Sequence, residues 1–157
     1  MDLVKLFEAY YECRKNKRNT LNALEFETDY ESKLFELHRE ITERRYEIRP
    51  SIAFIVDKPV KREIFAGDFR DRIVHHYVIR ELEPVFERMF VHDSYSCRQG
   101  RGTGMAVERM RKFAIGVTRN STRPAWYLKL DIRSFFMSIR RETLLGMLRK
   151  IIDGKYA

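Results

Sequence analysis

The stretch Ala125-Trp126-Tyr127-Leu128-Lys129-Leu130-Asp131-Ile132 decides how the chain is read. It is rich in bulky apolar and aromatic side chains and follows a turn over residues 120–124, so it is expected to be the best strand in the chain. Asp131 sits near the end of that strand, between Lys129 and Arg133. Carboxylates at strand ends are where Mg²⁺ sites are commonly assembled, and phosphoryl transfer needs at least two of them plus substrate phosphates. One carboxylate is not a site. The same aspartate also suits the start of a turn or a cap on the segment after it, and on its residues alone both readings stand.

Working outward, residues 141–153 place Leu144, Leu145, Leu148 and Ile152 at helical spacing. Upstream, Thr103 can cap a helix over about 104–117 with Val107, Met110 and Phe113 on one face. A loop over 91–104 precedes it, in which Gly100, Gly102 and Gly104 alternate with Arg101 and Thr103. Those glycines are not a dinucleotide fingerprint, because no strand leads into them. Asp68 can cap a helix to about Leu82 with Ile73, Val74, Tyr77 and Val78 inward, and Pro84 fits the first turn of a short helix through Met89. Residues 52–56 and 62–65 form two β-prone runs separated by 57–61, a hairpin pattern. Before them, Arg49-Pro50 breaks a helix over about 24–45 carrying Tyr30, Leu34, Leu37 and Ile41. The first helix spans about 2–15 with Leu3, Leu6, Phe7, Tyr10 and Tyr11 on its apolar side, and polar residues 15–19 end it. Helices, hairpin, helices, strand, helix is too irregular an order for a doubly wound sheet and argues an α+β fold.

Composition bounds the function. The 157 residues are 44% hydrophobic and 13% aromatic, enough for a real core. No apolar run is long enough to span a membrane and the first residues lack a signal-peptide pattern, so a cytoplasmic protein with no membrane partner is expected. Cys13 and Cys97 make no C-x-x-C pair, Cys97 reads as a small packing residue, and His75-His76 point about 100° apart on a helix, too far to chelate together. The 31 Lys+Arg against 23 Asp+Glu give a net charge of +8, which favours a polyanionic partner. Residues 98–123 concentrate that charge, with Arg98, Arg101, Arg109, Arg111, Lys112, Arg119 and Arg123 against Glu108 alone.

Three blocks in order resemble one family. LKLDIRSFFMSI is similar to motif A of reverse transcriptases of the bacterial group II intron-like type. KREIFAGDFRDRIVHHYV resembles their fingers block, and HDSYSCRQGRGTGMAV the Ser-Tyr-x-x-Arg-x-Gly-x-x-Thr block that follows it. The Ser-Tyr-x-Cys-Arg loop and Tyr46-Glu47-Ile48-Arg49-Pro50 lean towards the enzymes of diversity-generating retroelements, while group II intron maturases and retron enzymes share most of the same pattern. The resemblance implies the N-terminal helices, fingers hairpin and first palm strand and helix of a right-hand polymerase: a helical extension over 1–48, fingers over 49–124 and the start of the palm over 125–157.

It also implies roles. Asp131 would be the first of three catalytic, metal-binding aspartates, with the Ile132 carbonyl as a further ligand to Mg²⁺, or Mn²⁺ in its place. Main-chain N–H groups near Ser134 and Phe135 would receive triphosphate oxygens and Phe136 would lie under the sugar, with one of the two phenylalanines packing as core. Arg62, assisted by Lys58 and Lys61, would reach the nucleotide from the hairpin. Arg72, Arg98, Arg101, Arg109 and Lys112 would contact nucleic acid, although Asp71-Arg72 equally reads as a helix cap with a local ion pair. The partners would be an RNA template, a DNA primer and deoxynucleoside triphosphates. The motif with the other two aspartates is missing, so the chain reads as a truncated, inactive part of an RNA-directed DNA polymerase whose exposed palm surface could pair two copies. A non-catalytic basic RNA- or DNA-binding module is the alternative, and a purely structural domain a third reading.

Overall fold

A computed structural model of the chain describes residues 1–15, 20–58 and 61–152. The polar stop at 16–19, the middle of the hairpin turn at 59–60 and the expected final helical residue Asp153 lie outside the described residues. The chain divides into two compact units, Met1–Pro84 and Val85–Ala157.

The first unit holds the core. Helix α1, Leu3–Arg14, starts where Asp2 accepts a hydrogen bond from the Lys5 N–H at 3.2 Å, the cap that its sequence suggests. The expected helix over 24–45 is two helices, α2 (Leu21–Glu27) and α3 (Tyr30–Thr42). Between them Asp29 leaves helical geometry at φ −151°, ψ 55°. The carbonyls freed there find other donors: Thr28 Oγ1 donates to Glu25 O at 2.7 Å, and Lys33 Nζ also donates to Glu25 O. Arg44, at φ +58°, closes α3 before the expected end.

Leu6, Ala9, Tyr10, Cys13, Ala23, Phe26, Leu34, Leu37, Phe69 and Ile73 are buried together, so helices from both sides of residue 49 share one core. Tyr10 is its hub, stacked on Tyr30 at 4.9 Å and edge-on to Phe69 at 6.3 Å. Strands β1 (Ile52–Val56) and β2 (Arg62–Ala66) form the expected hairpin, antiparallel with Phe54 opposite Ile64. Helix α4, Phe69–Glu87, runs on through Pro84 instead of restarting there. A proline inside a helix gives up its own N–H bond to the preceding turn and crowds the carbonyl four residues back, and Pro84 does so with its own side chain exposed.

Two charged residues of α4 are buried. Asp71 is 1% exposed and accepts from Tyr46 Oη at 2.7 Å and the Arg49 N–H at 2.9 Å. Arg70 pairs with Glu40, donates to Glu47 O at 3.3 Å and lies over the Tyr46 ring at 5.1 Å. Together they tie the segment after α3 to α4. Burial, and then the bond to Asp71, push the Tyr46 hydroxyl well above its ordinary range.

The second unit contains α5 (Thr103–Thr118), the short α6 (Phe135–Ser138) and α7 (Arg141–Ile151). Gly102 stands at the N-cap of α5 with no side-chain cap bond, so Thr103, the expected cap, is instead the first helical residue. Arg119 in left-handed geometry ends α5, and the Asn120 N–H returns to Ile115 O at 2.9 Å. Residues 125–132 join no ladder among the described residues. The strand expectation is therefore corrected: the residues suit a strand, but a strand exists only against a partner. Val107, Met110 and Phe113 of α5 are all exposed, as are Leu144 and Leu145 of α7. Among the described residues every buried hydrophobic lies at or before Ile73.

Candidate nucleic-acid interface

The basic loop is held by one arginine. Arg98 is 9% exposed, and its guanidinium donates to both Glu87 oxygens at 2.8 and 2.6 Å. Further bonds reach Val91 O at 3.2 Å and Ser94 O at 3.0 Å, and the Phe90 ring lies 5.0 Å away. Those partners close residues 87–98 into a loop and hold the Glu87 carboxyl below its ordinary range. Four of the five Arg98 N–H donors are thus engaged inside the loop, which leaves little of its guanidinium for the phosphate contact expected of it. The packing role expected of Cys97 is corrected: it is exposed, at φ +54°, and accepts from Ser96 Oγ at 3.7 Å.

Beyond that staple the chain turns through Gly100 at φ +70°, where a side chain would be strained. The Arg101 N–H donates to Arg98 O at 3.2 Å and the Arg101 guanidinium to His92 O. The turn lays the loop along α5 and opens a cleft of about 630 Å³ lined by His92, Tyr95, Arg101, Met105, Arg109, Lys112 and the carboxylate Glu108. Arg101, Arg109 and Lys112 are three of the five residues that sequence assigns to nucleic acid.

Asp93 ties three of the lining residues together. It accepts from Arg109 Nε at 2.9 Å, from Tyr95 Oη at 2.8 Å and from His92 at 3.2 Å. The Arg109 and Tyr95 bonds hold its carboxyl down to about 2. The Arg109 guanidinium also lies 4.5 Å from the Phe113 ring centre, so it is fixed from two sides. Among the described residues Arg98, Arg109 and Arg111 are ion-paired, whereas no ion pair engages Arg101, Lys112, Arg119 or Arg123. The cleft thus combines two unneutralised cations with an aromatic ring and a thioether at one opening. Phosphate would meet the cations and an unpaired base the ring. Sequence reasoning missed Tyr95, His92 and Met105; the signal was an aromatic beside a basic, glycine-rich loop.

The remaining candidates fall in other places. Arg62 opens β2 with Lys61 before it, both exposed, and Lys58 follows β1, so these cations share the hairpin of the first unit. Arg72 is half-buried in the first turn of α4 and its N–H bonds Asp68 O at 3.1 Å, while Asp71 beside it faces the core.

In the second unit Asp131 and Ile132 lie in the exposed segment before α6, and Ser134 adopts φ +52°. The Met137 and Ser138 N–H groups both return to Ser134 O at 3.0 Å. Phe135 and Phe136 meet edge-on at 5.2 Å but are 47% and 84% exposed, so neither packs as core. The donors present do not fit a two-metal centre: Asp131 is exposed, and no group of three or more His, Cys, Asp or Glu forms among the described residues. No described helix is long and apolar enough to cross a membrane.

No protein-family model matches the chain. Over 87 residues, 55% of its length, it is 26% identical to the nuclear intron maturase 1, mitochondrial, of Arabidopsis thaliana, and the match spans 11% of that protein. That likeness supports a distant relationship to the reverse-transcriptase-related proteins whose blocks the sequence resembles.

Proposed function

We propose that this chain is a nucleic-acid-binding part of a reverse-transcriptase-related protein and that it grips single-stranded RNA in the cleft between the 91–104 loop and α5. The observation that carries the reading is the meeting of Arg101, Arg109 and Lys112 with Tyr95 at one opening. Arg101 and Lys112 supply charge to phosphate, Arg109 is oriented by Asp93 and Phe113, and Tyr95 offers a face to an unpaired base. The similarity to an intron maturase supports RNA rather than duplex DNA as the ligand. Nucleotide addition, with Asp131 among the metal-holding carboxylates, belongs on this reading to a longer protein that supplies further carboxylates. The chain by itself serves binding.

Photo-crosslinking of a 4-thiouridine-substituted RNA, mapped by mass spectrometry, tests the site. Crosslinks are expected at Tyr95 and Met105 and should disappear in Arg101→Ala/Lys112→Ala. Crosslinks confined to the hairpin or to α7 would overturn the assignment.

A further inference from the structure

Residues 125–132 carry no helix, turn or bend, and their side chains are open to water: Trp126 is 96% exposed, Leu128 and Leu130 are 81%, and Ile132 is 66%. As a strand this segment would set Trp126, Leu128, Leu130 and Ile132 on one face and Tyr127, Lys129, Asp131 on the other. One side is wholly apolar and the other carries both signs of charge. We propose that the segment is a self-complementary edge that pairs antiparallel with the same segment of a second copy, about a two-fold axis at Leu130.

The register follows from elimination. Any pairing that matches even-numbered to odd-numbered residues sets leucines of one copy against charges of the other. Centring the axis on Lys129 or on Asp131 sets that charge against itself. Centring it on Leu128 gives Lys129 only Tyr127 and leaves Asp131 opposite Ala125. Centring on Leu130 sets Lys129 opposite Asp131 on both sides of the axis and Leu128 opposite Ile132. Both charges of the segment then meet their opposites, and the apolar face becomes continuous across the two copies. The two-fold arrangement is the closed, isologous kind, so it ends at a dimer. Charge complementarity therefore selects a second copy of this chain as the occupant of the edge. The inference is independent of RNA binding, since it uses neither the loop nor α5.

Sedimentation velocity of the 157-residue chain over a wide concentration range, without nucleic acid, tests it. The wild type is expected to dimerise. Lys129→Asp and Asp131→Lys, each placing like charges opposite, are expected to weaken the dimer about tenfold. The double variant Lys129→Asp/Asp131→Lys restores the opposite pairing and should recover wild-type association. All the substituted side chains are exposed, and circular dichroism checks that the helices persist. A wild type that stays monomeric, single variants that associate as well as wild type, or a double variant that stays weak would each overturn the proposal. A monomer that still binds RNA would sink this inference alone.

Discussion

At the scale of single residues, the two aspartates that matter have opposite fates. Asp131 stood out in the sequence because of its neighbours along the chain, yet in the structure it is exposed. Asp71 read as a helix-opening residue, yet it is the buried carboxylate that joins Tyr46, the Arg49 amide and α4. Its partners lie 25 and 22 residues away, a separation that no local pattern encodes. Removing it would strand the Tyr46 hydroxyl and the Arg49 N–H and leave Arg70 with less counter-charge. Asp71→Ala is expected to destabilise the first unit by about 2–4 kcal/mol, and Tyr46→Phe by about 1 kcal/mol, read from urea unfolding midpoints. Equal, negligible effects of both would show that the network contributes little.

At the scale of elements, periodic signals were legible and partner-dependent ones were not. The apolar spacing of α1, α3, α4 and α7 and the β-prone runs of the hairpin each follow from the residues in the element itself. The break at Asp29 depends on where Lys33 and Thr28 send their donors, and the strand over 125–132 depends on another strand. The glycine-rich loop was legible as a basic loop, but the withdrawal of Arg98 into it was not, because Glu87 and the carbonyls of Val91 and Ser94 meet only when the loop closes.

That loop has a defined acid response. In the folded chain the Asp93 carboxyl titrates at about 2 against an ordinary 3.8. Between those values the unfolded loop binds more protons than the folded one, so stability falls as pH drops through this window and is complete above it. The Tyr95 ring signals in NMR are expected to keep their folded positions down to about pH 4 and to move to free-loop positions towards pH 2. Asp93→Asn should reduce that pH dependence to the part contributed by the Glu87–Arg98 pair. A wild-type loop that loosens at neutral pH would contradict the Asp93 assignment.

At the scale of the whole molecule, the excess of cations and the excess of apolar side chains are spent differently in the two units. The first unit buries its aromatic and aliphatic residues around Tyr10. The second keeps Trp126, Phe136, Val107 and Met110 at the surface and places Arg101 and Lys112 at the cleft between the loop and α5. The sequence conveyed helices around one hairpin, a mixture compatible with an α+β class, and the basic character of residues 98–123. Which of those cations share an opening depended on how the Gly100 turn lays the loop against α5.

The most direct test is the salt dependence of single-stranded RNA binding by fluorescence anisotropy, for the wild type and for Arg101→Ala/Lys112→Ala. If these two cations hold phosphates in the cleft, the slope of log affinity against log salt should flatten by about 0.7 per lost contact, roughly 1.4 in all, with weaker binding at every salt concentration. An unchanged slope, or binding that does not respond to salt, would contradict the account.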